Sequence, residues 1–199
     1  MHVLRPTHAA ALAAALALCA ACSSAPPRNA DGSPSAATQE ARNTARVAST
    51  EVLSRLYAAQ PGARQAIATS AGYAVFRNFG VKILVAGGGS GRGVAIETRS
   101  GRETFMRMVE IQAGLGFGAK TFDLVWVFRT PAAYTDFVTR GIEIGGQATL
   151  AAQVDKAGGG LTGAVQVSDG VWVYQLTESG LAAELTVSGT RYYPDKALD

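Results

Sequence analysis

Residues 114–128 read Gly-Leu-Gly-Phe-Gly-Ala-Lys-Thr-Phe-Asp-Leu-Val-Trp-Val-Phe, GLGFGAKTFDLVWVF. Gly114 to Ala119 satisfies Gly-x-Gly-x-x-Ala, the fingerprint of a dinucleotide-binding turn. That turn works only where it opens a helix whose N-terminus faces a pyrophosphate. Here it runs into FDLVWVF, whose β-branched and aromatic residues read as a strand. The glycines therefore serve to bend strands and let them approach closely. A second stretch, AGGGSGRG from Ala86 to Gly93, lacks the lysine of a phosphate-binding loop. Neither stretch reads as a nucleotide site.

Working outward, nineteen of the twenty-three glycines fall between Gly72 and Gly170, interleaved with Val, Ile, Phe, Tyr and Trp. This pattern predicts short strands separated by glycine turns: YAVFRNF, VKILVA, RGVAIET, TFMRMVEIQ, FDLVWVF, ATLAAQV, AVQVS, VWVYQL and AAELTVSG. TRSGRE, between Glu97 and Glu103, predicts a hairpin turn. TPAAYTDFVTRG opens with Pro131 and predicts an inserted helix. Upstream, Ala41, Ala45, Ala48, Val52 and Leu56 recur at steps of three and four, which predicts an amphipathic helix over Thr38–Gln60. Its alanine-rich apolar face suits packing on a sheet better than lying on a membrane. A second, short helix is predicted from Ala63 to Ala71. The expected fold is α+β: N-terminal helices packed on a glycine-rich, curved or barrel-like antiparallel sheet with an inserted helix.

The N-terminus carries a different message. MHVLRPTH is followed by the apolar run AAALAAALALCAA and by small polar residues, the layout of a bacterial export signal. The run is shorter than the roughly 20 residues a membrane span needs. Ala20 and Ala21 before Cys22 resemble a bacterial lipobox, whose cysteine is lipidated and becomes the new N-terminus. The usual leucine three residues before that cysteine is here Cys19. Ordinary cleavage releasing a periplasmic protein is the alternative. The expected organisation is a signal peptide over 1–21, a flexible linker over 22–37 and one domain over 38–199, lipid-anchored in a bacterial envelope. Ser23, where aspartate would stand in an inner-membrane protein, favours the outer membrane by resemblance to enteric sorting rules.

Composition narrows the chemistry. Both histidines, His2 and His8, and both cysteines, Cys19 and Cys22, lie within the first 22 residues. With Cys22 acylated, the domain has no histidine and no thiol, which excludes Ser–His and Cys–His catalysis and an ordinary zinc site. No paired-carboxylate motif stands out, so no enzyme, metal or cofactor is expected. Charge is uneven: Arg77 to Arg107 carries six basic and two acidic residues, whereas Glu143 to Asp199 carries seven acidic and three basic ones. A basic end facing an anionic membrane gains about 1 kcal/mol per cation. Nucleic acid is a poor partner for an exported chain of formal net charge +3.

SAGYAVF (Ser70–Phe76), AGGGSGRGVAI (Ala86–Ile96), AGLGFGAKTFDLVWVF (Ala113–Phe128), EIGGQATLAAQ (Glu143–Gln153) and ESGLAAELTVSG (Glu178–Gly189) together resemble the SYLF domain family. The resemblance runs from about Ala45 to Tyr192. It implies helices followed by a glycine-rich β part, and binding of acidic membrane lipids through basic residues and an amphipathic helix. Where eukaryotic members often have Ala-Lys-Gly, this chain has Ser70-Ala71-Gly72; Arg77 and Lys82 stand nearby as substitutes. The actin role of some members has no counterpart in a bacterial envelope. The cations expected to contact lipid are Arg77, Lys82, Arg92, Arg99, Arg102, Arg107 and Lys120, with Arg99 and Arg102 at a projecting hairpin tip. Two other readings stay open: contact with an envelope protein partner, and enclosure of an apolar ligand by the curved sheet.

Overall fold

The computed structural model describes residues 29–144, 148–151, 161–178, 180–182, 184–187 and 189–198. The export signal and Cys22 lie outside the described residues. Helix α1, Ala36–Ala59, starts where the Ser35 side chain accepts from the Thr38 amide at 3.2 Å. It takes up Ala36 and Ala37 from the stretch expected to be linker. The short helix α2, Gly62–Ala68, ends three residues before Ala71 because Thr69 and Ser70 turn the chain into the sheet.

The chain from Gly72 to Phe128 departs from expectation. YAVFRNF, VKILVA and RGVAIET are not three strands but parts of one, β1 (Gly72–Glu97); TFMRMVEIQ and FDLVWVF likewise belong to β2 (Glu103–Phe128). The two pair antiparallel from Gly72↔Phe128 to Ile96↔Glu103, broken by one irregularity between Leu84 and Ala86. The GLGFGA stretch is therefore strand, because glycine keeps its place in a ladder when the opposite strand supplies hydrogen bonds. The turn at 98–102 is the predicted hairpin: Gly101 has φ +69° and the Glu97 amide bonds to the Arg102 carbonyl at 3.0 Å.

This hairpin closes on itself. The Thr98 amide donates to the Ala71 carbonyl at 3.2 Å, so β1 ends beside the residue that precedes it. In between, Gly89, Gly91 and Gly93 face the backbone of the strand's own first half. A methyl group at Gly93 would strike the Val75 carbonyl and the Phe76 ring; one at Gly91 would strike Asn78 and the Arg77 carbonyl; one at Gly89 would lie 3.2 Å from the Phe79 carbonyl. Three glycines on one face thus admit a backbone where side chains would hold it away. The hairpin has two arms, 72–83 with 117–128 and 86–96 with 103–113, joined at a bend opposite the turn.

The rest of the sheet completes a strongly curled antiparallel half-barrel. Its path is β3 (Ile142–Ile144), β9 (Thr190–Pro194), β2, β6 (Val171–Thr177) and β5 (Val165–Ser168), with β1 also on β2 and β7 (Gly180–Leu181) also on β6. β4 (Ala148–Ala151) and β8 (Glu184–Val187) form a separate pair. The inserted helix α3, Pro131–Arg140, is capped by the Thr130 hydroxyl and sends Tyr134 and Phe137 inward. β9 was not foreseen; RYYP joins the sheet by pairing with both β2 and β3.

Two layers of core flank the sheet. On the inner face Phe76, Trp126, Phe128, Phe137 and Tyr192 form an aromatic cluster, with Trp126 and Tyr192 meeting edge to face at 4.8 Å between ring centres. On the outer face Val52 and Leu56 of α1 are fully buried against Val75, Val125 and Val127. Ala45 packs on Val94, Phe105 and Leu198. The predicted helix thus packs on the sheet, and each fully buried side chain contributes about 1.5–3 kcal/mol. Every described core residue lies between Ala45 and Leu198, so a chain beginning at Asn29 keeps the whole described core.

Gly93→Ala is expected to lower stability by about 3 kcal/mol or more, at the top of the overpacking range. Gly62→Ala, with nothing within 4 Å, should be neutral or slightly stabilising; equal melting temperatures would refute the crossing as the fold's constraint. Alkali tests the core separately. Burial pushes Tyr134 and Tyr174 up to about 12, Glu97 adding to the effect at Tyr134. An acid whose folded pKa exceeds its ordinary value near 10 stabilises the fold fully below that pH, and the contribution is lost as pH rises toward 12. Unfolding should therefore set in over this window, and less steeply in Tyr174→Phe, as followed by circular dichroism.

Candidate functional site

Along each arm the outer face is covered by α1 only near the turn. Farther along, two parallel series emerge. Arg77, Phe79 and Val81 follow one another at alternate positions of β1; Arg107, Val109 and Ile111 do the same on β2, toward the same bend. Phe79 is 53% exposed and Ile111 75%, and Val81 and Val109 are also open to solvent. The arms meet at this level: Gly89, next to the Phe79 carbonyl, pairs with Glu110, which lies between Val109 and Ile111.

The expected cations do not form one patch. Arg77 donates to Glu51 at 3.0 Å and to Asp123 at 3.3 Å, and Arg55 reaches the other oxygen of Asp123 at 2.7 Å. Asp123 is buried, so this network pins α1 to the sheet and makes Arg77 a structural residue. Arg92 stands directly opposite Arg107 on the outer face; Arg107 lies 3.8 Å from the buried Asp195, while Arg92 has no acidic partner among the described residues. Arg99 and Arg102 sit in the turn, at the far end from the exposed apolar residues, with Arg102 3.8 Å from Glu97. Lys120 lies over the Phe122 ring at 5.1 Å near the bend. Lys82 pairs by its backbone with Gly118 beside the bend; its side chain is outside those described. Arg92 and Arg107 thus lie toward the bend on the outer face, Lys120 near it on the inner face with Phe122, and Arg99 and Arg102 away from it.

Sequence reasoning missed Arg191, which β9 places exposed and directly opposite Val109, with Glu143 on its other side. It also missed the inner-face pair of Asn78 and Glu110. Both are buried and Asn78 has neither amide atom bonded, because Gly89 and Gly91 leave room for them. No spacing signal could have found either, since each depends on strand register.

Residues 109–199, from the exposed apolar rung of β2 onward, match the family profile Ysc84, described as Las17-binding protein actin regulator. This match assigns residues 109–199 to the SYLF family. The chain is also similar to Beta cell expansion factor A of Aeromonas veronii, with 32% identity over 162 residues. That alignment takes in 80% of this chain and 59% of the relative, so the chain spans about three fifths of the relative's length. The SYLF match begins after β1, so the glycines of the crossing at 89–93 lie upstream of it.

If Asp123 is structural, Asp123→Asn should cost about 1–3 kcal/mol, the loss of charge-assisted bonds reduced by the half-exposure of both arginines. That corresponds to roughly 3–10 °C in melting temperature. Arg92→Gln should stay within about 0.5 kcal/mol of the parent; equal losses in the two variants would show that the network is not specially important.

Proposed function

We propose that this SYLF protein binds lipid, and specifically that it is an envelope lipoprotein. Acyl chains on Cys22 tether it, and the bend half of its outer sheet face rests on anionic phospholipid headgroups. The observation that carries the reading is the sorting of charge. The buried carboxylates Asp123 and Asp195 face arginines within the fold, while on this outer face Arg92 and Arg191 are exposed and have no ion pair among the described residues. A site of this kind attracts a negative surface and no defined small molecule. The inner face of the half-barrel is filled by the aromatic cluster, which favours a surface over enclosure of an apolar ligand. The tether and the domain would reinforce each other, since an anchored chain meets the same membrane at high effective concentration. No cofactor or metal enters this reading.

Co-sedimentation of residues 29–199 with vesicles of rising phosphatidylglycerol content tests it. Binding should rise with anionic lipid and weaken at high salt, as screening requires. Arg92→Glu with Arg191→Glu should lower it, whereas Arg99→Glu with Arg102→Glu should change it little. The reverse order would move the contact to the turn. No binding at any composition would leave Cys22 as the sole membrane contact and turn the search to an envelope protein partner.

A further inference from the structure

Resting on the headgroup reading, we propose that the bend is an apolar wedge: Phe79, Val81, Val109 and Ile111 enter the boundary between headgroups and acyl chains of an anionic bilayer. The argument is the order of residues along the two arms. Each runs from an arginine, Arg77 or Arg107, through one exposed apolar residue to a second, and both run toward the bend. Alternate strand positions are about 7 Å apart and every fourth about 13 Å. The first apolar rung thus falls about 7 Å beyond the arginine level, within the 5–10 Å depth of interfacial apolar faces.

The four side chains account for nearly all the large exposed apolar residues described, with Val47 on α1 the exception. A soluble sheet has no reason to gather them at one end unless something covers them. Charge selects the occupant. Arg92 stands diagonal to Val109 on β1, and Arg191 directly opposite it on β9 with Glu143 beyond, so the flanking charge is net positive. A bilayer offers anionic headgroups at the arginine level and hydrocarbon beyond it, matching both rungs at once. A second copy of this chain would set the same cations against each other.

Single tryptophans at 79 or 111, in the chain from Asn29, read depth directly. The resident Trp126 and Trp172 are buried and give a constant background. Vesicles contain equal parts phosphatidylglycerol and phosphatidylcholine, with bromine on the acyl chains. Phe79→Trp and Ile111→Trp should shift to the blue and be quenched on binding, and Arg99→Trp should not. Phe79→Ser with Ile111→Ser should weaken vesicle affinity by about tenfold per side chain, a loss that persists at high salt. Binding of the parent without quenching at 79 or 111 would overturn the wedge and leave the headgroup contact. Absence of parent binding would overturn both. A blue shift at 79 or 111 without vesicles, growing with protein concentration, would assign the face to self-association and overturn the wedge.

Discussion

The crossing of β1 over its own first half governs this structure. A strand of 26 residues would normally lie in a gently twisted sheet, but Gly89, Gly91 and Gly93 remove every side chain that would keep the Val75–Phe79 backbone at a distance. The strand can then curl until Thr98 returns to Ala71. Everything else follows from that closure. The inner face becomes concave and is filled by Trp126, Phe137 and Tyr192. The outer face is divided into a half near the turn, which α1 covers, and a half near the bend, which it leaves bare. Each glycine forgoes side-chain burial and costs backbone entropy, so their alternation at 89, 91 and 93 is intelligible only as a packing requirement.

The ion pairs on the outer face belong to this division. Glu51 and Arg55 of α1 meet Arg77 and Asp123 where the covered half ends. Burying the Asp123 carboxylate costs free energy that opposite charge must offset, and two arginines contact it. Arg46, paired with Glu103 and lying over the Phe105 ring, fixes the other stretch of the helix in the same way. These contacts set where the helix lies more than how stable it is, because the arginines remain nearly half exposed.

Much of this architecture was legible in the sequence. Apolar spacing located α1, Pro131 located α3, and Ser-Gly between charged residues located the hairpin turn. The reading of GLGFGA as strand material followed from FDLVWVF, which leaves no room for a helix. Continuity was not legible, because glycine is the residue that both ends strands and bends them. Propensity therefore divided β1 into three pieces where the opposite strand holds it together. The candidate site suffered similarly. Counting charges found the basic stretch from Arg77 to Arg107, yet only register shows that Arg77 faces a buried carboxylate and that Arg92 and Arg107 are neighbours. Arg191 lies 84 positions from Arg107 in sequence and joins the same face through β9.

The distribution of exposed residues then has a physical reading that does not depend on any one cation. A sheet face left bare by a helix is ordinarily made polar, since exposed apolar strands invite aggregation. Here the bare half sets two exposed apolar residues beyond an arginine, Phe79 and Val81 after Arg77 and Val109 and Ile111 after Arg107, and the same order runs toward the bend on both arms. Repetition by chance within one strand would be unremarkable as sequence pattern. Its recurrence on both arms, which the fold brings to one level, ties residue type to height above the covered half. A flat boundary between a charged layer and an apolar one imposes that dependence, and a membrane surface is such a boundary.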